Sequence, residues 1–202
     1  MVMLRGPIVS REGFTLIEMV VALGLSLVTV GAVYTLYVSE LKAQYVREDR
    51  LEMQQQARVV MDVVSRELLM AGYDPRGVNH DGDLTNDFQG ISYDPGRLII
   101  KADLNGNGSI VDANESIIFM FDASTQTLRR NTGGGNQPFG ENIESFIVEY
   151  FDQGGNPTVD SVSIQQVKIT VTARTEDPDL NYVPNGGYRT VTLQSRLTPR
   201  NL

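Results

Sequence analysis

The sequence contains no cysteine and a single histidine, His80. Because a disulfide needs two thiols, any domain of this chain outside the cytoplasm must be held together by packing or by a bound metal. The same absence leaves no residues for a thiol–histidine pair, a catalytic triad or a zinc cluster. No P-loop, Rossmann glycine fingerprint or G-x-S-x-G elbow occurs either. We therefore expect no enzymatic activity, and we expect His80 to be a solvated loop residue.

Positive charge is also scarce, since 17 lysine and arginine residues stand against 25 aspartate and glutamate residues, for a formal net charge of −8. This acidic balance does not favour contact with a polyanion, so no nucleic acid contact is predicted. The length of 202 residues and the hydrophobic content of 41% allow an anchored helix and one compact domain. Two full globular domains are not expected.

Charge is almost absent from residues 14–38, where Glu18 is the only charged side chain. At about 1.5 Å per residue these residues form a helix of about 37 Å, which is long enough to cross a hydrocarbon core of about 30 Å. A carboxylate in such a helix is costly without a partner, so Glu18 is the first candidate functional residue. The alternative is a simple N-terminal anchor in which the carboxylate is incidental.

The sequence GFTLIE at residues 13–18 stands at the start of this apolar run. It resembles the class III signal of the type IV pilin superfamily. The resemblance implies that residues 1–13 are a leader, that a prepilin peptidase cuts between Gly13 and Phe14, and that the new N-terminus is methylated. It also implies that Glu18 meets the N-terminal amine of a neighbouring subunit during assembly. An ordinary secretory signal has a shorter apolar region followed by its cleavage site, and that order is not found here.

Beyond the apolar run the helical pattern continues. One stripe at spacings of three and four contains Met53, Ala57, Val60, Met61, Val64 and Leu68. Such spacing predicts an amphipathic helix whose stripe packs on a sheet. Gly72 and Pro75 supply a C-cap and a stop. We therefore predict one helix from about Phe14 to about Ala71, with a transmembrane and assembly half at residues 14–38 and an amphipathic half at residues 39–72.

The period changes to that of strands after residue 97. Segments rich in β-branched and aromatic residues, separated by turn residues, lie at residues 98–100, 116–121, 143–151, 162–174 and 188–197. Residues 166–172 alternate strictly, which predicts a half-buried antiparallel strand. The predicted fold class is α+β, in which a long N-terminal α-helix spine packs against a C-terminal antiparallel β-sheet within a head at residues 73–202.

The loop at residues 103–115 is the candidate metal site, and its candidate ligands are Asp103, Asn105, Asn107, Ser109, Asp112 and Glu115. The alternation of oxygen-bearing side chains resembles the first half of an EF-hand-type loop, which favours Ca²⁺. Against this, the twelfth position is Asn114, and two of the expected carboxylates are amides. The alternative is a hairpin loop whose side chains cap their own backbone. Residues 79–87 form a second acidic loop with less regular spacing, a weaker calcium candidate.

Further features resemble the PilW group of minor type IV pilins. They are Arg66-Glu67-Leu68, Ala71-Gly72-Tyr73, the acidic hairpin before Glu115-Ser116-Ile117, and the ending Arg200-Asn201-Leu202. This resemblance implies a minor pilin that primes or caps a type IV pilus. The implied partners are the prepilin peptidase/N-methyltransferase, other minor and major pilins, the inner-membrane assembly platform, and membrane lipid before assembly.

The implied location is a single-pass inner-membrane protein with its head in the periplasm, which later joins a pilus at the cell surface. Two alternatives stay open. One is a J-type minor pseudopilin of type II secretion, and the other is a membrane-tethered, calcium-dependent binding module that never enters a filament.

Overall fold

A computed structural model describes residues 13–179 and 181–202, so residues 1–12 of the predicted leader lie outside the described residues. Helix α1 spans Leu16–Leu69, which confirms the predicted helix to within about two residues at each end. The chain divides into two compact units, the first reaching Val46 and the second spanning Arg47–Leu202.

The start of α1 follows from a local sequence signal. Thr15 precedes the helix, and its hydroxyl oxygen accepts a hydrogen bond from the backbone N–H of Glu18 at 3.3 Å. The Glu18 carboxylate accepts in return from the backbone N–H of Thr15 at 2.8 Å. This reciprocal pair is a capping box, which satisfies N–H groups that the first helical turn leaves without a partner.

The second unit contains two antiparallel sheets. The strands of the five-stranded sheet, in spatial and chain order, are β1 (Ile91–Ser92), β2 (Arg97–Lys101), β3 (Ser116–Asp122), β4 (Thr127–Asn131) and β5 (Gln137–Gly140). The three-stranded sheet consists, in order, of β6 (Ile143–Phe151), β7 (Gln166–Arg174) and β8 (Thr190–Leu197). The class prediction of helix plus antiparallel sheet is confirmed, although the strands form two sheets rather than one.

The core of the second unit lies between α1 and the two sheets. All six residues of the predicted stripe are buried, as predicted: Met53, Ala57, Val60, Met61, Val64 and Leu68. They belong to one apolar cluster with Leu98 and Phe119 from the first sheet and Ile169 from the second. Burial of a leucine or valine side chain contributes roughly 1.5–3 kcal/mol, so this stripe is the principal attachment of α1 to the head.

Polar contacts fix the relative positions of these elements. Glu67 near the end of α1 forms a two-bond ion pair with Arg130 of β4, through Nε and Nη2. Tyr150 of β6 donates from its hydroxyl to the Arg97 carbonyl of β2 at 2.9 Å and thereby joins the two sheets. Burial is the main reason that the pKa of Tyr150 is raised far above its ordinary value. The hydroxyl therefore remains a donor at physiological pH.

The end of α1 is closed by Gly72. Its φ of +76° is a left-handed conformation, as expected for the predicted C-cap. Its N–H donates to the Lys101 carbonyl of β2 at 2.9 Å. A Cβ atom at this position would overlap the Asn201 carbonyl, so the C-terminal residues pack directly on this turn. Gly72 therefore joins the helix end, the first sheet and the C-terminus.

Candidate processing and assembly site

The predicted cleavage junction lies in front of the helix. Gly13 and Phe14 have no regular secondary structure, and Phe14 is 86% exposed. Among the described residues, no atom beyond Gly13 and its chain neighbours lies within 4 Å of the position that a Cβ on Gly13 would take. Because a peptidase must bind the backbone closely on both sides of the bond it cuts, an exposed, non-helical junction with no side chain before the bond is well suited to cleavage.

Glu18 lies one helical turn after this junction, and its carboxylate has a partner within its own chain. Oε2 accepts from both the backbone N–H and the hydroxyl of Thr15, each at 2.8 Å. Sequence reasoning treated the carboxylate as lacking a partner, although the T-x-x-E spacing of a capping box is visible in the sequence. Within the described residues, Oε1 accepts no hydrogen bond, so one carboxylate oxygen is left for a cation from another molecule.

The apolar segment that follows is suited to lipid or to a packed bundle. The described part of the chain has one helix, α1, with a segment long and apolar enough to cross a membrane. Three of its hydroxyl groups are satisfied internally, because Ser26 and Thr29 donate to carbonyls four residues earlier at 2.7 and 2.8 Å, and Thr35 donates to the Ala32 carbonyl at 2.8 Å. Such bonds remove the cost of placing a hydroxyl in hydrocarbon.

The predicted metal loop contains two buried carboxylates that bind backbone N–H groups. Asp103 is fully buried, and it accepts from the N–H groups of Gly106 at 2.7 Å, Asn107 at 3.2 Å and Gly108 at 2.8 Å. Glu115, which is 2% exposed, accepts from Leu104 at 3.1 Å, Asn105 at 3.2 Å and Asp112 at 3.2 Å. Such bonds are those of a hairpin loop whose acidic side chains cap its own backbone.

The remaining candidate ligands meet at the outer side of the loop. Oδ2 of Asp112 accepts from the side-chain amides of Asn105 at 2.9 Å and Asn107 at 2.6 Å. Ser109 contributes its backbone N–H, which donates to Asn107 Oδ1 at 2.8 Å. Within the described residues, no group of three or more His, Cys, Asp or Glu side chains is arranged for a metal. The structure thus brings the six predicted residues together, and calcium binding stays a prediction.

The second acidic loop is held by bonds of the same kind. Asp83 accepts from the N–H and the hydroxyl of Thr85 at 3.0 and 2.6 Å, and the hydroxyl bond is the main reason that the pKa of Asp83 is lowered. Asp81 accepts from the N–H of Asp83 at 2.7 Å. His80 is exposed, as predicted, and it is the last residue of a short 3-10 helix at Val78–His80. Calcium binding at residues 79–87 also stays a prediction.

Comparison with known proteins gives a match at the N-terminal site. Residues 9–34 match the family model described as the prokaryotic N-terminal methylation motif. This match includes the predicted junction at Gly13 and Phe14, and also Glu18. No curated protein matches the chain. Among solved structures, the chain is similar to a type IV-like pilin, TTHA1219, from Thermus thermophilus, with 12% identity and a TM-score of 0.42 over 74% of this chain and 97% of that chain.

The described residues combine the methylation motif, an apolar helix segment long enough to cross a membrane, and an antiparallel β-rich head. Residues 9–34 therefore have a signal for N-terminal methylation.

Proposed function

We propose that this chain is a minor type IV pilin of the PilW kind. In this proposal, prepilin peptidase/N-methyltransferase removes residues 1–13 in the inner membrane and methylates Phe14. The head then resides in the periplasm until the assembly platform inserts the subunit into a pilus, where it primes or caps the filament with other minor and major pilins.

The observation that carries the proposal is the arrangement at the N-terminus. The methylation motif at residues 9–34 includes an exposed junction and, at the first turn of α1, a carboxylate with one oxygen that accepts no hydrogen bond within the described part of the chain. Methylation leaves the new amine cationic, so the free oxygen of Glu18 is suited to bind the amine of a neighbouring subunit. In a packed bundle of apolar helices the low dielectric strengthens that attraction.

The exposed apolar surface of residues 16–37 also supports the proposal. Large apolar side chains of this segment are exposed by half or more of their surface, and they include Leu16, Ile17, Val20, Leu27, Val30 and Leu36. Before assembly, lipid covers such a surface, and after assembly, the helices of neighbouring subunits cover it. A helix retained after processing is therefore available for such an assembly.

The test is recovery of the processed chain from sheared filaments. We expect mature protein beginning with methylated Phe14 in the filament fraction, at low abundance relative to a major subunit. Recovery with a type II secretion pseudopilus instead would identify the J-type pseudopilin. Mature protein that stays in the membrane and never enters either filament would contradict the proposal and favour a membrane-tethered binding module.

A further inference from the structure

A polar cavity opens on the second unit. Its volume is about 420 Å³, and it lies between the loop before β1 and the tip of the loop after β2. Its lining includes Asp87, Phe88 and Gln89 from the first loop, Lys101 from the end of β2, and Ser109 from the second loop. Cavities that bind small molecules have volumes of about 300–1,000 Å³, so this cavity is large enough for one.

The walls of the cavity are fixed by contacts that lie behind them. Phe88 is 9% exposed, and its N–H donates to Asn79 Oδ1 at 2.8 Å. The N–H of Lys101 donates to the Gly90 carbonyl at 2.8 Å. On the opposite wall, the buried Asp103 carboxylate holds the N–H of Gly108 at 2.8 Å. A ligand therefore meets walls that are already formed, and little ordering entropy opposes its binding.

Several lining side chains have free hydrogen-bonding capacity. Within the described residues, the structure gives no hydrogen bond or ion pair to the Lys101 ammonium, the Asp87 carboxylate, the Gln89 amide or the Ser109 hydroxyl. Lys101 is half-buried, in a chain whose net charge is −8. By contrast, Lys168 on β7 is paired with Glu149 at 2.6 Å. The Lys101 ammonium, which has no carboxylate partner among the described residues, is therefore available to bind a ligand in the cavity.

The chemistry of these groups selects the class of ligand. One ammonium and one carboxylate give the lining no net charge, which does not favour a phosphate or another small anion. The ammonium donates, the carboxylate accepts, and the amide and hydroxyl do both. A neutral ligand with several adjacent hydroxyl groups satisfies all of them, because each hydroxyl is both a donor and an acceptor. We propose that this cavity is a binding site for a saccharide unit.

The test uses the full chain, labelled with ¹⁵N and held in an amine-oxide detergent, which has no sugar or phosphate group to compete. Glucose, galactose, mannose and N-acetylglucosamine are titrated separately, with inorganic phosphate as a comparison. We expect at least one saccharide to shift the amide resonances of Asp87, Gln89 and Ser109, with a dissociation constant on the order of 1 mM.

Two substitutions locate the site. Lys101→Gln and Asp87→Asn keep the side-chain size and each remove one charged partner, so each is expected to weaken saccharide binding by about tenfold. Lys168→Gln is the matched control outside the cavity, and it should bind as the parent does. An unchanged thermal midpoint verifies the fold of each variant. Absence of saccharide shifts, or saccharide binding indifferent to both substitutions, would overturn the proposal. Phosphate binding that is abolished by Lys101→Gln and strengthened by Asp87→Asn would also overturn the proposal, because it would identify an anion site.

Discussion

At the scale of single residues, two glycines have requirements that no other residue meets. Gly72 combines a φ of +76° with a close approach of the Asn201 carbonyl, and Gly13 stands before the predicted cleavage junction. The first requirement concerns folding, whereas the second concerns recognition by an enzyme. Substitution at each position therefore has a different expected outcome.

Gly72→Ala is expected to destabilise the head. A left-handed conformation costs a non-glycine residue about 1–3 kcal/mol, and the overlap with Asn201 adds to that cost. Gly77→Ala is the matched control, because Gly77 has a similar φ of +73° but open space where the Cβ would lie. Urea unfolding of the full chain in detergent measures both. Equal losses of unfolding free energy in the two variants would show that packing of the C-terminus on Gly72 contributes nothing to stability.

Gly13→Val is expected to leave the full-length precursor in the membrane, because a branched side chain obstructs the close approach of the peptidase to the backbone. Mass spectrometry of the N-terminus distinguishes precursor from product. Gly24→Val places the same side chain in α1 beyond the junction and should be processed as the parent is. Detection of Phe14 as the N-terminus of the Gly13 variant would refute this role.

At the scale of elements, the helix and its buried stripe followed from sequence periodicity, because burial on one side of a helix leaves a regular spacing of apolar residues. Strands β2, β3, β6, β7 and β8 were predicted because their apolar residues are clustered or alternate. Strands β1, β4 and β5 were missed, and β1 has only two residues. β4 contains Arg129 and Arg130, and β5 contains Pro138, so neither has a strand composition.

The partition into two sheets could not be predicted either. It depends on which distant strands pair, and a single sequence does not record that pairing. The loop at residues 103–115 was predicted as a unit, with the capping alternative left open. Its hydrogen bonds agree with that alternative, because the buried Asp103 and Glu115 carboxylates bind backbone N–H groups on both sides of the loop.

Calcium binding at this loop is tested by thermal unfolding. Calcium needs oxygen ligands, so the Asn105 and Asn107 amides must turn to present Oδ1 beside Asp112. We expect millimolar Ca²⁺ to raise the unfolding midpoint modestly, Mg²⁺ to fail, and Asp112→Asn to abolish the shift. Asp62→Asn on the exposed face of α1 is the control. No shift in the parent chain would leave the loop as a plain hairpin.

The hairpin between β3 and β4 gives a prediction about pH. A hydrogen bond from the Ser124 hydroxyl to Asp122 at 2.6 Å is the largest of several contacts that hold the pKa of Asp122 below its ordinary value of 3.8. Arg129 adds a bond at 3.2 Å. A lowered pKa means that the stabilisation is fully present above the ordinary value and is lost as the pH falls through the lowered one.

We therefore expect acid to lower the urea midpoint of the parent chain more than that of Asp122→Asn. Other carboxylates with lowered pKa values, such as Asp160 and Asp179, make the stability of both proteins sensitive to acid. The difference between the two curves, rather than either slope, is the quantity to measure. Asp62→Asn should follow the parent, and identical curves for all three proteins would contradict the prediction.

At the scale of the whole molecule, the proposed processing and assembly both involve the start of α1. The capping box uses Oε2 of Glu18, and Oε1 accepts no hydrogen bond from the residues that the structure describes. Two explanations of the carboxylate are therefore possible, since it stabilises the start of its own helix and is also suited to bind a neighbouring amine. A variant that removes the carboxylate affects both roles, so a second variant is needed to separate them.

Glu18→Ala is expected to be cleaved normally and to enter filaments at a level reduced by at least about tenfold, because the neighbour's amine loses its anionic partner in a low-dielectric bundle. Thr15→Val keeps the carboxylate but removes the hydroxyl from the capping box, so it should retain most of the incorporation. Immunoblots of sheared filaments, normalised to mature protein in the membrane, measure both. Equal losses of incorporation in Glu18→Ala and Thr15→Val would assign Glu18 to helix capping. Normal incorporation of Glu18→Ala would refute the ion pair with the neighbouring amine. A subunit at the very tip of a filament lacks one neighbour, so a loss smaller than that of a major subunit would place this chain at the tip.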